Sequence, residues 1–402
     1  MSLELQGPDS PPPTEGLSQN LTGPPAPDAL EALLEDTETD LEELVAISSP
    51  SGDRDAAERA LALCARRLPP EAIVERVPCS SPDHAPDLLA RLPGTGTKRV
   101  LLLGHLDTVV AHASHIPLRR QGDTWLGSGS VDMKGGVALA LALAGWLAQS
   151  PHSFAEIGVL LVVDEEWRLE PFAHVERFAG YDACLCFEAG ERSAGAEGVV
   201  VERKAAGTLR VLAHGRSAHA GSNPDAGANA LLALADAARA AAALHDPHGP
   251  EALSVVPSMI RSGQAMNVVP AEGELTIDVR ARSAASFERV LEHIARSTQV
   301  AELEVTLLRS WPGMDSSEAT AGLLQASSVR LGREIVGVAR GGASDASHFA
   351  ATIPLTIDGL GPRGGHAHSP KEFVHRPSLR ERAEISMAIL QELLAPNAQA
   401  PR

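Results

Sequence analysis

Four continuous apolar runs, each delivering the chain onto ionisable residues, constrain this sequence more than any other feature. Arg99 to Leu103 runs into Gly104-His105, and Ile157 to Val163 into Asp164-Glu165-Glu166. Ala183 to Phe187 meets Glu188, and Ile353 to Ile357 leads into a Gly-rich loop carrying His366 and His368. Short apolar runs without polar alternation, separated by helical periods such as Val137 to Leu147, read as central strands of a mostly parallel sheet. The fold class is therefore α/β. In open sheets of this kind ligands bind outside the carboxyl ends of the strands. The acids and histidines are expected to meet in one crevice there.

With 402 residues the chain is long for one domain and suggests two. Helices are expected from about Asp28–Asp36 to Ile47 and from Arg54 to Arg67. Between about 200 and 308 the pattern changes to β-α-β-β-α-β: Thr208 to Ala213, Ala226 to Leu244, Leu253 to Arg261, Glu274 to Arg280, Ala284 to Arg296 and Ala301 to Leu308. That order is a split, ferredoxin-like α+β unit. Residues 201–308 are thus expected as an insertion into a discontinuous domain of residues 28–200 and 309–396. Residues 1–27, with seven prolines, read as a disordered acidic tail that turnover does not need.

Charge excludes some partners. The formal net charge is -18, which argues against nucleic acid. Twelve acidic residues and no Lys or Arg precede Arg54, so about two thirds of that charge belongs to the N-terminal stretch. Aromatics are only 3%, so the core must be aliphatic. No 18-residue apolar stretch is read from the sequence, which predicts no membrane span. The N-terminus lacks a basic and then apolar leader, so cytoplasmic localisation is expected. Cys64, Cys79, Cys184 and Cys186 form no C-x-x-C pair and are expected as small buried hydrophobes.

His, Asp and Glu together suit zinc, which takes N and O ligands. In Gly104-His105-Leu106-Asp107, extended backbone puts the carboxylate on the imidazole's face, where it can fix the ring; alone, this reads equally as a strand-end histidine with an incidental acid. The Gly-rich turn Gly127 to Gly136 lacks phosphate-loop spacing. Its Asp132 is either a ligand shared by two cations or a helix cap. Three acids at 164–166 repel one another unless a cation sits among them or one is protonated. One Glu can bind metal while its neighbour acts on water. Glu188 is weak alone, and His366-Ala367-His368 offers two candidate imidazoles.

Together these segments resemble the M20 family of metallopeptidases. The matching stretches are GHLDTV (104–109), GSGSVDMKGG (127–136), DEE (164–166), FE (187–188), GRSAHAG (215–221), MNVVPAEGELTIDVR (266–280), GGASDA (341–346) and HSPKEFV (368–374). They occur in family order over roughly residues 40 to 395 and are most similar to the glutamate carboxypeptidase branch. The resemblance implies a zinc-peptidase-like catalytic domain with an inserted lid and dimerisation domain. It also implies two Zn2+ per chain, with Co2+ or Mn2+ as substitutes.

By that resemblance, His105 and Glu188 hold one ion, Glu166 and His368 the other, and Asp132 bridges them. Asp107 orients His105, and Glu165 is the general base acting on a water whose pKa the metals lower. His219 helps stabilise the oxyanion, reaching the other subunit of a homodimer. Asn267, Arg280 and Gly342 hold the substrate, Arg280 by a paired grip on a carboxylate. The implied activity is hydrolysis of an amide or peptide bond next to a carboxylate-bearing residue, in a small peptide or N-acyl amino acid. An N-acyl amino acid deacylase, such as acetylornithine deacetylase, is the neighbouring reading. A non-catalytic dimeric binding protein is the reading from another class. It rests on one departure: Trp167-Arg168-Leu169-Glu170-Pro171-Phe172 stands where relatives carry a Gly-Ser-rich turn. Ala343 also stands where Thr is usual.

Overall fold

The computed structural model describes residues 27–395. The expected N-terminal tail therefore lies outside the described residues, except Pro27, which opens the first helix, Pro27–Ala46. A six-stranded sheet forms the centre, ordered Ile73–Val77, Asp87–Pro93, Glu156–Val162, Arg99–His105, Ala183–Cys186, Leu355–Ile357. The last four strands run parallel to one another, and the first two add an antiparallel edge. Arg99–His105 is buried at every residue after the first, because helices and loops cover both faces. That explains its unbroken apolar run.

Helix Gly135–Ala148 is apolar all round and buried almost throughout. Together with Ser130–Lys134 it is long and apolar enough to cross a membrane by length and composition, so the sequence expectation of no such stretch is corrected. Burial in the core accounts for its composition, since it packs on Pro27–Ala46, on the central sheet and on the C-terminal helix Pro377–Leu394. The first turn of this helix needs Gly136: a Cβ there would stand 1.8 Å from the Phe187 carbonyl oxygen. The close approach brings the helix start against the strand end that carries Glu188.

A second sheet joins Met314–Asp315, Ala196–Arg203, Ile335–Arg340 and Glu191–Ser193. Strand Ala196–Arg203 crosses the expected boundary at residue 200, and Glu302–Trp311 crosses the one at 308. Between them, residues 205–311 form a four-stranded antiparallel sheet ordered Ser254–Ser262, Glu272–Ala281, Ala205–His214, Glu302–Trp311. Helices Ala230–Ala243 and Ser286–Ala295 pack on one face around a separate apolar core that includes Leu209, Ile277 and Ile294. Along Ala205–His214 burial alternates, so Leu209 and Val211 face that core while Thr208 and Arg210 face the other way.

Among the described residues the four cysteines are free. Cys64, Cys184 and Cys186 are buried, and burial pushes their thiols up in pKa.

Candidate metal centre

Three neighbouring parallel strands end at the same edge of the central sheet, so the residues that follow them meet there. His105 closes its strand, Glu165 and Glu166 follow Glu156–Val162, and Glu188 follows Ala183–Cys186. Asp132 comes from the tight turn Ser130–Lys134 ahead of the buried helix. His368 comes from the Gly-rich loop, with φ +64°. This left-handed conformation is uncommon for a residue with a side chain. It brings the ring of His368 to the cluster, whereas His366 lies beside Phe373, ring centroids 5.9 Å apart.

The geometry is that of two triplets sharing one member. His105 Nε2 lies 3.1 Å from Asp132 Oδ1 and 3.6 Å from Glu188 Oε1. His368 Nε2 lies 3.1 Å from Asp132 Oδ2 and 3.1 Å from Glu166 Oε1. The ligand atoms of His105, Asp132 and Glu188, and those of Asp132, Glu166 and His368, each fall within 4.8 Å of one another. Glu166 Oε1 is buried, and no hydrogen bond of good geometry reaches it. Two imidazoles and two carboxylates around one shared carboxylate fit a pair of divalent cations of the zinc type.

Protein groups alone compensate this cluster poorly. Burial, reinforced by Asp132, pushes Glu188 up to about 8. Burial also raises Glu165 well above the usual carboxylate range, with His105 opposing and Asp345 adding to the rise. His368 is raised to about 10 by its contacts with Asp132 and Glu166. Burial disfavours a charged His105, yet Asp107 and Asp132 outweigh it and raise the ring's pKa. Without cations the site therefore retains protons that cations would displace.

Asp107 lies beside the His105 ring and also ties neighbouring segments together. The nearest atom to His105 Nδ1 is its main-chain carbonyl oxygen, at 3.0 Å, and its carboxylate stands 3.4 Å away. The carboxylate also accepts from the amides of Glu165 (3.2 Å) and Glu166 (3.1 Å). Asp107 thus ties one strand end to the next and sets both glutamates. Asp164, the first of the three acids, turns away from the cluster and pairs with Arg168. Burial opposes its charge, but Arg168 lowers it to about 2.

Sequence reasoning missed Glu372. Its buried carboxylate accepts from the amides of Gly129 (2.8 Å), Val131 (3.0 Å) and Asp132 (3.1 Å), and so clamps the turn that presents Asp132. Burial pushes it up to about 7 against the pull of those amides. Its only signal was an acid four residues after His368. The segment that departs from the family pattern borders the site through Trp167, and its Arg168 is buried and bonds both Asp164 and Asp345.

A cavity of about 400 Å³ opens beside the cluster, lined by Glu165, Glu166 and His368 on one side. Arg280, Gly342 and Trp167 also border it. His219 and Asn267 are not among its lining residues. They sit together elsewhere on the inserted unit, where the Ala220 amide donates to the Asn267 carbonyl at 2.9 Å. His219 Nδ1 accepts there from the amides of Gly221 and Ser222.

A metal-fitting His/Asp/Glu cluster at the carboxyl edge of an α/β sheet, with a buried glutamate beside it, defines a metal-dependent hydrolase. Comparison with known proteins gives the particular family. Residues 101–392 match Peptidase family M20/M25/M40, and the chain belongs to that family. Carboxypeptidase G2 of Pseudomonas sp. (strain RS-16) is 27% identical over 325 residues, covering 76% of this chain and 77% of the relative. A succinyl-diaminopimelate desuccinylase of Halorhodospira halophila is 28% identical over 327 residues, covering 75% and 85%. Among solved structures, a tripeptidase of Staphylococcus aureus superposes with a TM-score of 0.74 at 21% identity, over 90% of this chain and 99% of that one. A dinuclear metal-binding peptidase of the M20 family from Bacillus subtilis gives 0.66 at 14%, over 90% and 99%. The chain is thus a metal-dependent peptidase or amidohydrolase with a mainly parallel central sheet.

Proposed function

We propose that this chain is a dinuclear zinc hydrolase that cleaves an amide or peptide bond next to a carboxylate-bearing residue. The observation that carries the reading is the sharing of Asp132 between two ligand triplets, with the buried Glu165 facing the same cavity. His105 and Glu188 would hold one ion, Glu166 and His368 the other, and Asp132 would lie between. Such ions, when bound, supply a polarised carbonyl and a water of lowered pKa. Glu165 takes the proton of the attacking water and returns it to the leaving nitrogen. Its burial keeps bulk water from competing for that proton. Relatives named as a carboxypeptidase and a desuccinylase support an acyl or peptidyl substrate with a free carboxylate.

In the same reading His219 and Asn267, remote from their own chain's cavity lining, serve the cavity of a second copy. A solution mass equal to one chain would sink that part. The chemistry is tested by Glu165→Gln. Removing a general base costs about 100- to 10,000-fold. The variant should therefore lose at least about 100-fold in kcat on N-acyl amino acids or dipeptides while binding zinc as the wild type does. Full turnover in Glu165→Gln, or a purified protein that takes up no metal, overturns the reading.

A further inference from the structure

Of the four tryptophans, Trp125, Trp146 and Trp311 are buried, whereas Trp167 keeps 58% of its surface exposed and borders the active-site cavity. The backbone that carries it is held on both sides. Before it, the Glu165 and Glu166 amides donate to the Asp107 carboxylate. After it, the buried Arg168 donates through Nε and Nη2 to Asp164 at 2.9 and 2.7 Å, and through Nη2 to Asp345 at 3.0 Å. Arg168 therefore turns inward and Trp167 outward, on a segment with little freedom to fold the ring away. Among the described residues no aromatic ring or cation stacks on Trp167, although an arginine lies over each of Trp125 and Trp311.

The cavity lining is divided. Besides the metal ligands and Glu165, its polar side chains, Thr208, Asp278, Arg280 and Arg309, belong to the inserted sheet. Its two largest apolar side chains, Val109 and Trp167, follow two strands of the central sheet, Arg99–His105 and Glu156–Val162. A carboxylate is drawn by charge to the side that carries the arginines, so the acyl group across the scissile bond meets the apolar side. Trp167 directly follows Glu166, Cα to Cα about 3.8 Å, so the acyl group of a carbonyl at the metal centre is within reach of its ring. An exposed ring already held in place stacks on a flat apolar partner at little ordering cost. We propose that Trp167 and Val109 form a subsite for the acyl side of the substrate, one that takes an aromatic acyl group. This rests on the proposed amide hydrolysis and names the acyl class.

The test compares N-phenylacetyl with N-acetyl derivatives of the same amino acids on the zinc-loaded wild type, Trp167→Ala, Trp167→Phe and Leu169→Ala. Leu169 is also exposed but is not among the cavity's lining residues. An aromatic pair contributes about 2- to 13-fold beyond the area it buries. The wild type should favour the phenylacetyl substrates in kcat/KM by at least the lower factor. Trp167→Ala should lose that preference, mainly through KM. Trp167→Phe should recover part of it, and Leu169→Ala should keep all of it. No preference in the wild type, or the same preference in Trp167→Ala, overturns the subsite and leaves the hydrolase reading standing. A Trp167→Ala chain with altered solution mass and unchanged preference puts the ring against a second copy instead. If Trp167→Ala does not fold, Trp167→Gln takes its place under the same readings. If the wild type turns over neither series, the hydrolase reading fails, and calorimetry with N-phenylacetylglycine decides the subsite. Weaker binding in Trp167→Ala than in the wild type supports it; equal affinity, or none in the wild type, overturns it.

Discussion

Arg168 shows what a single residue can hold together. From within the segment that departs from the family pattern, it donates through Nε and Nη2 to Asp164 at 2.9 and 2.7 Å and reaches Asp345 with its other donors. Its guanidinium also lies over the Phe172 ring, 4.6 Å from the centroid. All three charged side chains are almost wholly buried. Removing one partner of a buried ion network leaves uncompensated charge and costs about 3–5 kcal/mol. Arg168→Met should therefore destabilise the chain by that order in a denaturant titration. Stability within about 0.5 kcal/mol of wild type, the range of an ordinary surface change, would refute the role. The five candidate ligands were legible because each follows an apolar run or sits in a recognisable segment. Arg168 was not legible: Asp345 is 177 residues away, and nothing local distinguishes a buried arginine from an exposed one.

At the scale of elements, the tight turn Ser130–Lys134 depends on a distant acid. Glu372 enters from the segment before strand Phe373–His375 and gathers two amides of that turn and the amide of Gly129 just before it. It touches no candidate ligand atom, yet it fixes where Asp132 stands. Groups that orient metal ligands are commonly worth about 10- to 100-fold in metal affinity. Glu372→Gln keeps the shape but replaces one acceptor by an NH2 facing amide donors. Zinc affinity, measured by competition with a chromogenic chelator, should fall by about that factor. An unchanged affinity would detach Glu372 from the site. The sequence conveyed strand ends well, because a buried parallel strand must be apolar on both faces. It conveyed this turn poorly, because amide-to-carboxylate clamps have no periodicity. Strands Ala196–Arg203 and Ile335–Arg340 escaped the reading for a related reason, since charged residues at their ends broke the apolar pattern.

For the whole molecule, two separate apolar cores account for why an insertion was visible at all. Each core imposes its own pattern, continuous runs in one and alternation in the other, while strands Ala196–Arg203 and Glu302–Trp311 run across the expected boundaries. What the pattern could not reveal is how helices far from the site bind the main core together. Asp40 on helix Pro27–Ala46 is buried and meets Arg67 of helix Arg54–Arg67, Nε to Oδ1 2.7 Å. Burial outweighs that arginine and pushes Asp40 up from 3.8 to about 6. Between those values the folded chain binds a proton that the unfolded chain has released, so folding is favoured by acid there. The contribution of Asp40 is fully present below about pH 4, declines as pH rises through 6, and is flat above 7. Thermal melts of wild type and Asp40→Asn from pH 4.5 to 8 isolate it, since other titrations cancel in the difference. Wild type should lose ground to Asp40→Asn as pH rises to about 7 and then hold level. A difference that grows with pH would mean that the Arg67 ion pair outweighs burial and that the carboxylate is favoured in the folded state.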